Sequence, residues 1–510
     1  MNMRFSELFA PTSKNNPAKV KDPNLISLIK AGYAIYNSSD DELIFSSLGL
    51  MLEKKLEETA LTLFSGLGAR QISGSVSEDT SFQVAVRVLK LSRQLPMTFL
   101  ERSSRTISLY GFTDGGEMRE LEMVSYRKAL SNILEKNGMN PISIQNYQGS
   151  KFESLLAVEG DKRVFGGTEG VQCSSCGWKG LENSPSRETF EYSSLEGGPL
   201  EEVYTPGATT IPELCRQLDI TPEQTMKTMF YAAEGEEGTL FIAVLIRGDR
   251  QISLEKLAFH LGGLKIRRAE ESELANLIGE VAGFCGPIGL PEEIIVVADK
   301  SVEGAMNLTV GANKREYHIT GACWGRDIKA SSVADLNAFG KDLPCPECGA
   351  LLEPAYYRVL ASFEPVEKVE ELYPSLTYVN DERKKQVPYC WKGSFFLEPS
   401  IAAIFKEEEH TLPPQLAPFQ VHLVPSVDSA DPVFTRVEEL YEQLIRQGFR
   451  VLFDDRDVKM PNRLYDAGAL GIPWKILAGP ELVEDKMEVW SDERTEELVQ
   501  SSEMLRMLGE

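Results

Sequence analysis

The chain has 510 residues, 42% hydrophobic and 25% charged, an ordinary globular composition at a length suited to roughly three or four domains. Its 53 basic and 77 acidic residues give a net charge of −24, which excludes a uniformly basic nucleic-acid coat but leaves room for a local basic face. No apolar run reaches membrane-spanning length, Met1-Asn2-Met3-Arg4-Phe5 leads into a polar segment without a signal-peptide core, and eight Cys are too few for a disulfide scaffold. A cytoplasmic protein with no membrane and no DNA partner is the expectation.

Leu48, Leu52, Leu56, Ala60 and Leu63 recur every three or four residues among charged neighbours, which predicts a long amphipathic helix. Gly66, Gly68 and Gly74 then punctuate the chain. Ser81 to Gln94 reads as a second helix, and Tyr126 to Lys136 as a third, closed by Gly138. Composition shifts near Gly197-Gly198-Pro199. Beyond it, Thr210 can cap a helix carrying Ile211, Leu214 and Leu218. Strand-like runs follow at Thr225 to Ala232, Leu240 to Arg247 and Ile294 to Ala298. After Leu351 the pattern is hard to read until Pro413-Pro414. The last stretch alternates cleanly: strand Phe419 to Val424, a helix on Val437, Leu440, Tyr441 and Leu444, a stop at Gly448, strand Phe449 to Phe453, a second helix, and strand Trp474 to Ala478. That order predicts a small α/β domain built largely on parallel strands.

Two pairs, Cys173-Ser174-Ser175-Cys176-Gly177 and Cys345-Pro346-Glu347-Cys348-Gly349, have the two-residue gap that lets both thiolates face one ion. Four thiolates suit a closed, structural tetrahedral zinc site. The pairs lie far apart in sequence, so such a site would staple two halves of one domain around an insertion.

Between the pairs six short motifs occur in order: Thr225-Met226-Lys227-Thr228-Met229, Arg247-Gly248-Asp249, Gly283-Phe284-Cys285-Gly286-Pro287, Val297-Ala298-Asp299-Lys300, Gly311-Ala312-Asn313, and His318 through Trp324-Gly325-Arg326-Asp327. This stretch is similar to the editing domain inserted in bacterial-type prolyl-tRNA synthetases. Phe453-Asp454-Asp455-Arg456, Leu470-Gly471-Ile472-Pro473 and Ala478-Gly479 resemble the anticodon-binding domain of class II synthetases. Ala31-Gly32, Leu48-Gly49 and Gln94-Leu95-Pro96 look like remnants of a synthetase core. The fold this resemblance implies is multidomain, α/β and α+β. It has a class II synthetase-like antiparallel sheet core, with boundaries at 1–198 and 331–412. An α/β editing domain is inserted at 199–330, and an α/β anticodon-binding domain occupies 413–510. Such cores pair through their first motif, so the resemblance also implies a homodimer.

Activation of an amino acid requires cations around the ATP phosphates and a carboxylate for the substrate ammonium. Counting back from Arg119-Glu120, the family's second-motif Arg and Glu fall at Ile107 and Leu109. The Arg ending the third motif falls at Leu397, after Cys390-Trp391-Lys392-Gly393-Ser394-Phe395-Phe396. The proline-recognition Glu corresponds to Phe82, and the Pro closing the first motif falls near Ser75. The expectation is a core that no longer adenylates proline and has no use for ATP and magnesium. The inserted domain keeps its set. The resemblance implies that Lys227 holds the terminal adenosine and that the Gly286-Pro287 loop brings backbone N–H groups to the ester carbonyl. Asp299 and His318 would read a small side chain, while Asn313 shapes a turn within reach of substrate. The implied reaction is metal-free attack of water on the ester of alanyl-tRNA for proline, with the proline ring excluded by a small pocket. Arg456, Lys459, Arg463 and Lys475 would form a local cationic surface for tRNA, although Pro461 stands where this loop usually has Gly. Tyr465 and Trp474 suit either base stacking or core packing. Two other readings stay open: a tRNA-binding or regulatory paralogue without turnover, and a working proline–tRNA ligase with divergent motifs.

Overall fold

The structure is a computed structural model and describes residues 2–17, 19–37, 42–73, 80–148, 151–160, 167–186, 190, 197–235, 238–279, 283–405, 411–491 and 494–509. Gly74 and the first-motif position near Ser75 lie outside the described residues. The chain divides into two compact units. One gathers Met1–Ile142, Leu156–Thr168 and Tyr356–Glu510; the other gathers Ser143–Leu155 and Glu169–Ala355.

In the first unit, the long amphipathic helix spans Ser47–Gly66 and buries Leu48, Leu52, Leu56, Ala60 and Phe64. Ser46 caps it by accepting from the Gly49 N–H at 3.3 Å. The second helix stops at Val88, earlier than expected. Gln94 accepts from the N–H groups of Lys90 and Leu91 at 2.8 and 2.9 Å and donates to the Val88 carbonyl at 2.8 Å. It therefore closes the helix end instead of prolonging it. The third helix, Gly116–Lys136, starts ten residues earlier than the apolar pattern suggests, because the Gly115-Gly116 pair disguises its start. Gly138, at φ +77°, ends it as expected.

The first and third of these helices cover one face of a sheet ordered 353–366, 389–396, 106–113, 97–103 and 70–71, in which the first four strands are antiparallel. Its first two strands are the region that the sequence left hard to read. On the helix-covered face, Leu100, Ile107, Leu109, Phe363, Trp391 and Phe395 share one core with the helices. The Trp391 ring lies across the neighbouring strand at Gly111, where a Cβ would come within 1.8 Å of Nε1. That indole N–H donates to Glu122 at 2.9 Å. The opposite face carries Met97, Phe99, Tyr110, Phe112 and Cys390 beneath Phe82.

This alternation fixes which face the expected synthetase positions occupy. Ile107, Leu109 and Leu397 are 0%, 2% and 2% exposed and all pack on the helix side. An Arg at any of them would enter a hydrocarbon core, so none of the three presents its side chain to the opposite sheet face. The hairpin itself closes tightly through Ser104-Arg105, with Ser103 opposite Thr106. Phe82 is a different case, because it belongs to the opposite face. It stacks on Tyr373 at 4.1 Å and 6°, and sets its ring edge-on to Tyr110 and Phe112 at 5.8 and 5.3 Å.

The same unit ends in a six-stranded sheet ordered 3–4, 451–453, 421–425, 474–478, 486–491 and 494–500. Strands 421–425, 451–453 and 474–478 are parallel, as expected. Two antiparallel strands extend one edge, and Met3–Arg4 joins the other in parallel. The N-terminus is thus part of the C-terminal fold, which no local pattern announces.

The second unit holds a five-stranded sheet ordered 266–268, 226–235, 238–247, 294–299 and 332–334, and a three-stranded sheet ordered 201–204, 317–322 and 308–311. Helix Ile211–Leu218 follows the expected cap at Thr210, which Glu213 completes as a capping box. Among the described residues no helix is long and apolar enough to cross a membrane.

Candidate functional site

A cavity of about 820 Å³ opens in the second unit along the first half of the 226–235 strand, with Lys227, Thr228, Arg268, Cys285, Gly311 and His318 on its walls. Lys227 donates from Nζ to the Arg250 carbonyl, which fixes the ammonium at the cavity wall. Burial lowers its pKa, opposed by the carboxylate of Asp249. Asp249 is itself gripped by Arg247 at 2.7 and 2.8 Å and by Arg250 at 3.2 Å, so the turn carrying the acceptor carbonyl is rigid. His318 Nδ1 lies 2.7 Å from Thr205 Oγ1, and its ring sits edge-on to Phe284 at 5.6 Å. Burial lowers its pKa to about 4, so the imidazole is neutral at physiological pH. Thr205 is a partner that the sequence reading missed. Its only signal was its place at the start of the α/β region, 113 residues before its histidine.

The other expected residues divide. Asn313 accepts from the Gly286 N–H at 2.7 Å and donates to the carbonyls of Gly286 and Ile288 at 3.2 and 2.8 Å. It is a clamp on the 286–288 loop, held in the left-handed region at φ +51°. The Gly286 N–H is therefore consumed and Pro287 has none, so this loop has no free donor from either residue for an ester carbonyl. Gly286 serves by absence of bulk instead: a Cβ there would sit 1.7 Å from the Gly311 carbonyl oxygen. Asp299 is buried and does not line the cavity. Its two oxygens accept from the N–H groups of Ser301 and Leu336 at 2.8 and 2.7 Å, which makes it a brace between chain segments.

The four knuckle cysteines meet. Cys173 and Cys348 sulphurs are 3.5 Å apart, Cys176 and Cys345 sulphurs 3.6 Å, and all four lie within 4.8 Å of one another. A tetrahedron with the usual metal–sulphur bond has edges of about 3.8 Å, so the set fits one ion. Both knuckles share a geometry. Gly177 donates to the Cys173 carbonyl at 2.9 Å and Gly349 to that of Cys345 at 3.0 Å, each glycine at positive φ. The cluster can hold a metal ion.

Of the four cations expected to face tRNA, three are engaged inside the C-terminal fold. Arg456 bonds both oxygens of fully buried Asp454 at 2.8 and 2.7 Å and Asp466 at 2.8 Å, while its guanidinium lies 3.4 Å over Phe5. Arg463 is buried and donates to the carbonyls of Pro425 and Arg456. Lys475 is buried as well. Lys459 alone of the four is exposed. Tyr465 donates to the Ser13 carbonyl at 2.6 Å and has the Lys14 ammonium 5.1 Å from its ring centroid, and half-buried Trp474 packs against the core.

Two family descriptions match the chain: "Aminoacyl-tRNA editing domain" over residues 205–328, which contains the cavity, and "Anticodon binding domain" over 420–508. The architecture is therefore that of a multidomain α/β protein of the aminoacyl-tRNA synthetase class. A proline–tRNA ligase of Persephonella marina is 27% identical over 96% of this chain and 96% of its own length. One from Heliobacterium modesticaldum is 30% identical over 74% of this chain and 66% of its own. A solved Giardia lamblia prolyl-tRNA synthetase in complex with prolyl-adenylate overlays at a TM-score of 0.49 with 9% identity, covering 94% of this chain and 74% of that one. The chain belongs to the prolyl-tRNA synthetase family.

Proposed function

We propose that this protein hydrolyses mischarged aminoacyl-tRNA, alanyl-tRNA for proline in particular, and does not activate proline. The observation that carries the reading is the pair of sites in one chain: an open cavity with the Lys227 ammonium fixed in its wall, and a sheet face packed with the rings of Phe82, Tyr110, Phe112 and Tyr373. A cation and neutral polar groups around an apolar-walled cavity suit an ester with a phosphate nearby, attacked by water. With His318 neutral and hydrogen-bonded through Nδ1, no Ser-His-Asp arrangement is needed.

We assign 1–198 and 331–412 to the core, 199–330 to the editing domain and 413–510 to the anticodon-binding domain. The partner is tRNA, met in the cytoplasm, with Lys459 as the first contact candidate on the C-terminal fold. Pairing of two copies through the first-motif region remains part of this reading. Cys173, Cys176, Cys345 and Cys348 hold zinc in a closed site that supplies stability rather than chemistry. The near full-length match to proteins named proline–tRNA ligases favours a second reading, ligation itself. Against it stands the aromatic filling around Phe82 on the opposite sheet face. The test is loss of the ester from alanyl-tRNA for proline, followed beside a Lys227→Ala variant. Hydrolysis by the parent that falls on the order of 100-fold in the variant supports the reading. Background loss from both proteins overturns it.

A further inference from the structure

The wall of the cavity contains an interrupted sheet. Strand 226–235 is paired along its whole length with 238–247, but on its other edge pairing with 266–268 begins only at Tyr231, and the next contact is a bridge from Thr225 to Thr309. Between those points the edge faces the cavity. Backbone groups alternate in direction along an antiparallel pair. The Gly248 N–H bonds the Thr225 carbonyl at 2.9 Å, so residues 225, 227 and 229 turn their N–H and C=O toward the 238–247 strand. The outward bond from Ala269 N–H to the Phe230 carbonyl at 3.1 Å fixes the same parity. Thr228 consequently points both its N–H and its C=O into the gap. Its Oγ1, on a residue only 9% exposed, also has no hydrogen-bond partner among the described residues. Three unpaired polar groups on one buried residue that lines a cavity call for a ligand.

An α-aminoacyl ester offers the matching groups. In an antiparallel sheet a single residue exchanges two hydrogen bonds with the residue opposite, giving its N–H to a carbonyl and accepting an N–H on its own. The aminoacyl group carries the same pair on one α-carbon: the ammonium and the ester carbonyl. We propose that Thr228 binds the aminoacyl group as a one-residue strand partner, which deepens the deacylase reading and rests on it. The Thr228 carbonyl and hydroxyl accept from the ammonium. The Thr228 N–H donates to the ester carbonyl oxygen, the role that the engaged Gly286 N–H cannot take. Water then adds its oxygen to that carbonyl carbon, the bond from carbon to the ribose oxygen breaks, one water proton leaves on the ribose oxygen, and the other passes from the product carboxyl to solvent.

This arrangement reads the amino group as well as the side chain. A prolyl ester keeps two N–H groups on its free ammonium, but its ring carbon takes one of the three positions around nitrogen and prevents the rotation by which a primary ammonium aims its donors at both Thr228 acceptors. The substrate class is therefore esters of primary α-amino acids, and prolyl esters are spared by ring closure on nitrogen, over and above any limit on size. Two tRNA esters separate ring closure from bulk: 2-aminobutyryl and azetidine-2-carboxyl, which have equal numbers of heavy atoms and differ in whether the chain is closed onto nitrogen. With the unmodified protein, the 2-aminobutyryl ester is expected to be hydrolysed faster by on the order of tenfold or more, the worth of one charge-assisted hydrogen bond. Equal rates, or a faster azetidine ester, overturn the pairing while leaving the deacylase reading intact. Hydrolysis of neither, nor of alanyl-tRNA, overturns both. A Thr228→Val variant, which keeps shape and backbone, should raise KM for alanyl-tRNA several-fold with little change in kcat, and an unchanged KM removes the hydroxyl from the scheme.

Discussion

The two regions of this chain that resemble substrate sites have been finished in opposite ways. On the core sheet, the face turned away from the long helices is closed by stacked and edge-on rings around Phe82. In the inserted fold a strand edge stays unpaired, glycines keep two loops in close contact, and a lysine is buried at a cost in its own protonation. Closing a face with aromatic rings gains burial and dispersion. Leaving a gap with buried polar groups forgoes both, and a fold retains such a gap where a ligand completes it.

If the face around Phe82 is a packed core, the largest response comes from hollowing it. Phe82→Ala should cost about 3–5 kcal/mol in denaturant unfolding, and a loss near zero would mean that the ring covers an open site. Arg456→Ala should cost a similar amount, because it strands buried Asp454 without its partner; a stable variant that only weakens tRNA binding would return Arg456 to the RNA surface. Acid probes the buried histidines. Burial lowers both His318 and His422 to about 4 in the folded protein, whereas the unfolded chain protonates them near 6.5. The unfolded state therefore binds more protons between those values. Stability from this source is complete above pH of about 6.5 and declines as pH falls toward about 4. Denaturant midpoints measured across that range should show the decline, and His422→Leu should flatten it. The smallest effect belongs to Lys459→Ala. It should weaken tRNA affinity a few-fold, reduce the salt dependence by about one unit, and leave stability unchanged.

How much of this was legible depended on where the information lay. The helix over 47–66, the cap at Thr210 and the strands of the inserted fold follow from periodicity and turn chemistry inside single segments. The knuckles followed from spacing, and their meeting is the one long-range contact that cysteine pattern announces by itself. Strands 353–366 and 389–396 were hard to read because each is buried mainly through partners far away in sequence. The faces of the 106–113 strand went unread for a related reason. Sequence counting locates a residue along a strand, and a slip of one residue exchanges the helix-covered face for the opposite one. The cations of the C-terminal fold show the same limit. Arg456 and Arg463 look like RNA contacts in a charge census, and only tertiary structure shows their carboxylate and carbonyl partners. Thr228 stood inside a quoted motif and attracted no notice, since an unpaired backbone edge has no sequence signature.

The central claim is that chemistry survives in the inserted fold and not in the core. One preparation of the protein, given proline, ATP, magnesium and labelled pyrophosphate in one vessel and alanyl-tRNA for proline in another, addresses it directly. The account predicts no proline-dependent pyrophosphate exchange together with ester hydrolysis that disappears in Lys227→Ala. Robust exchange with the alanyl ester left intact would contradict it.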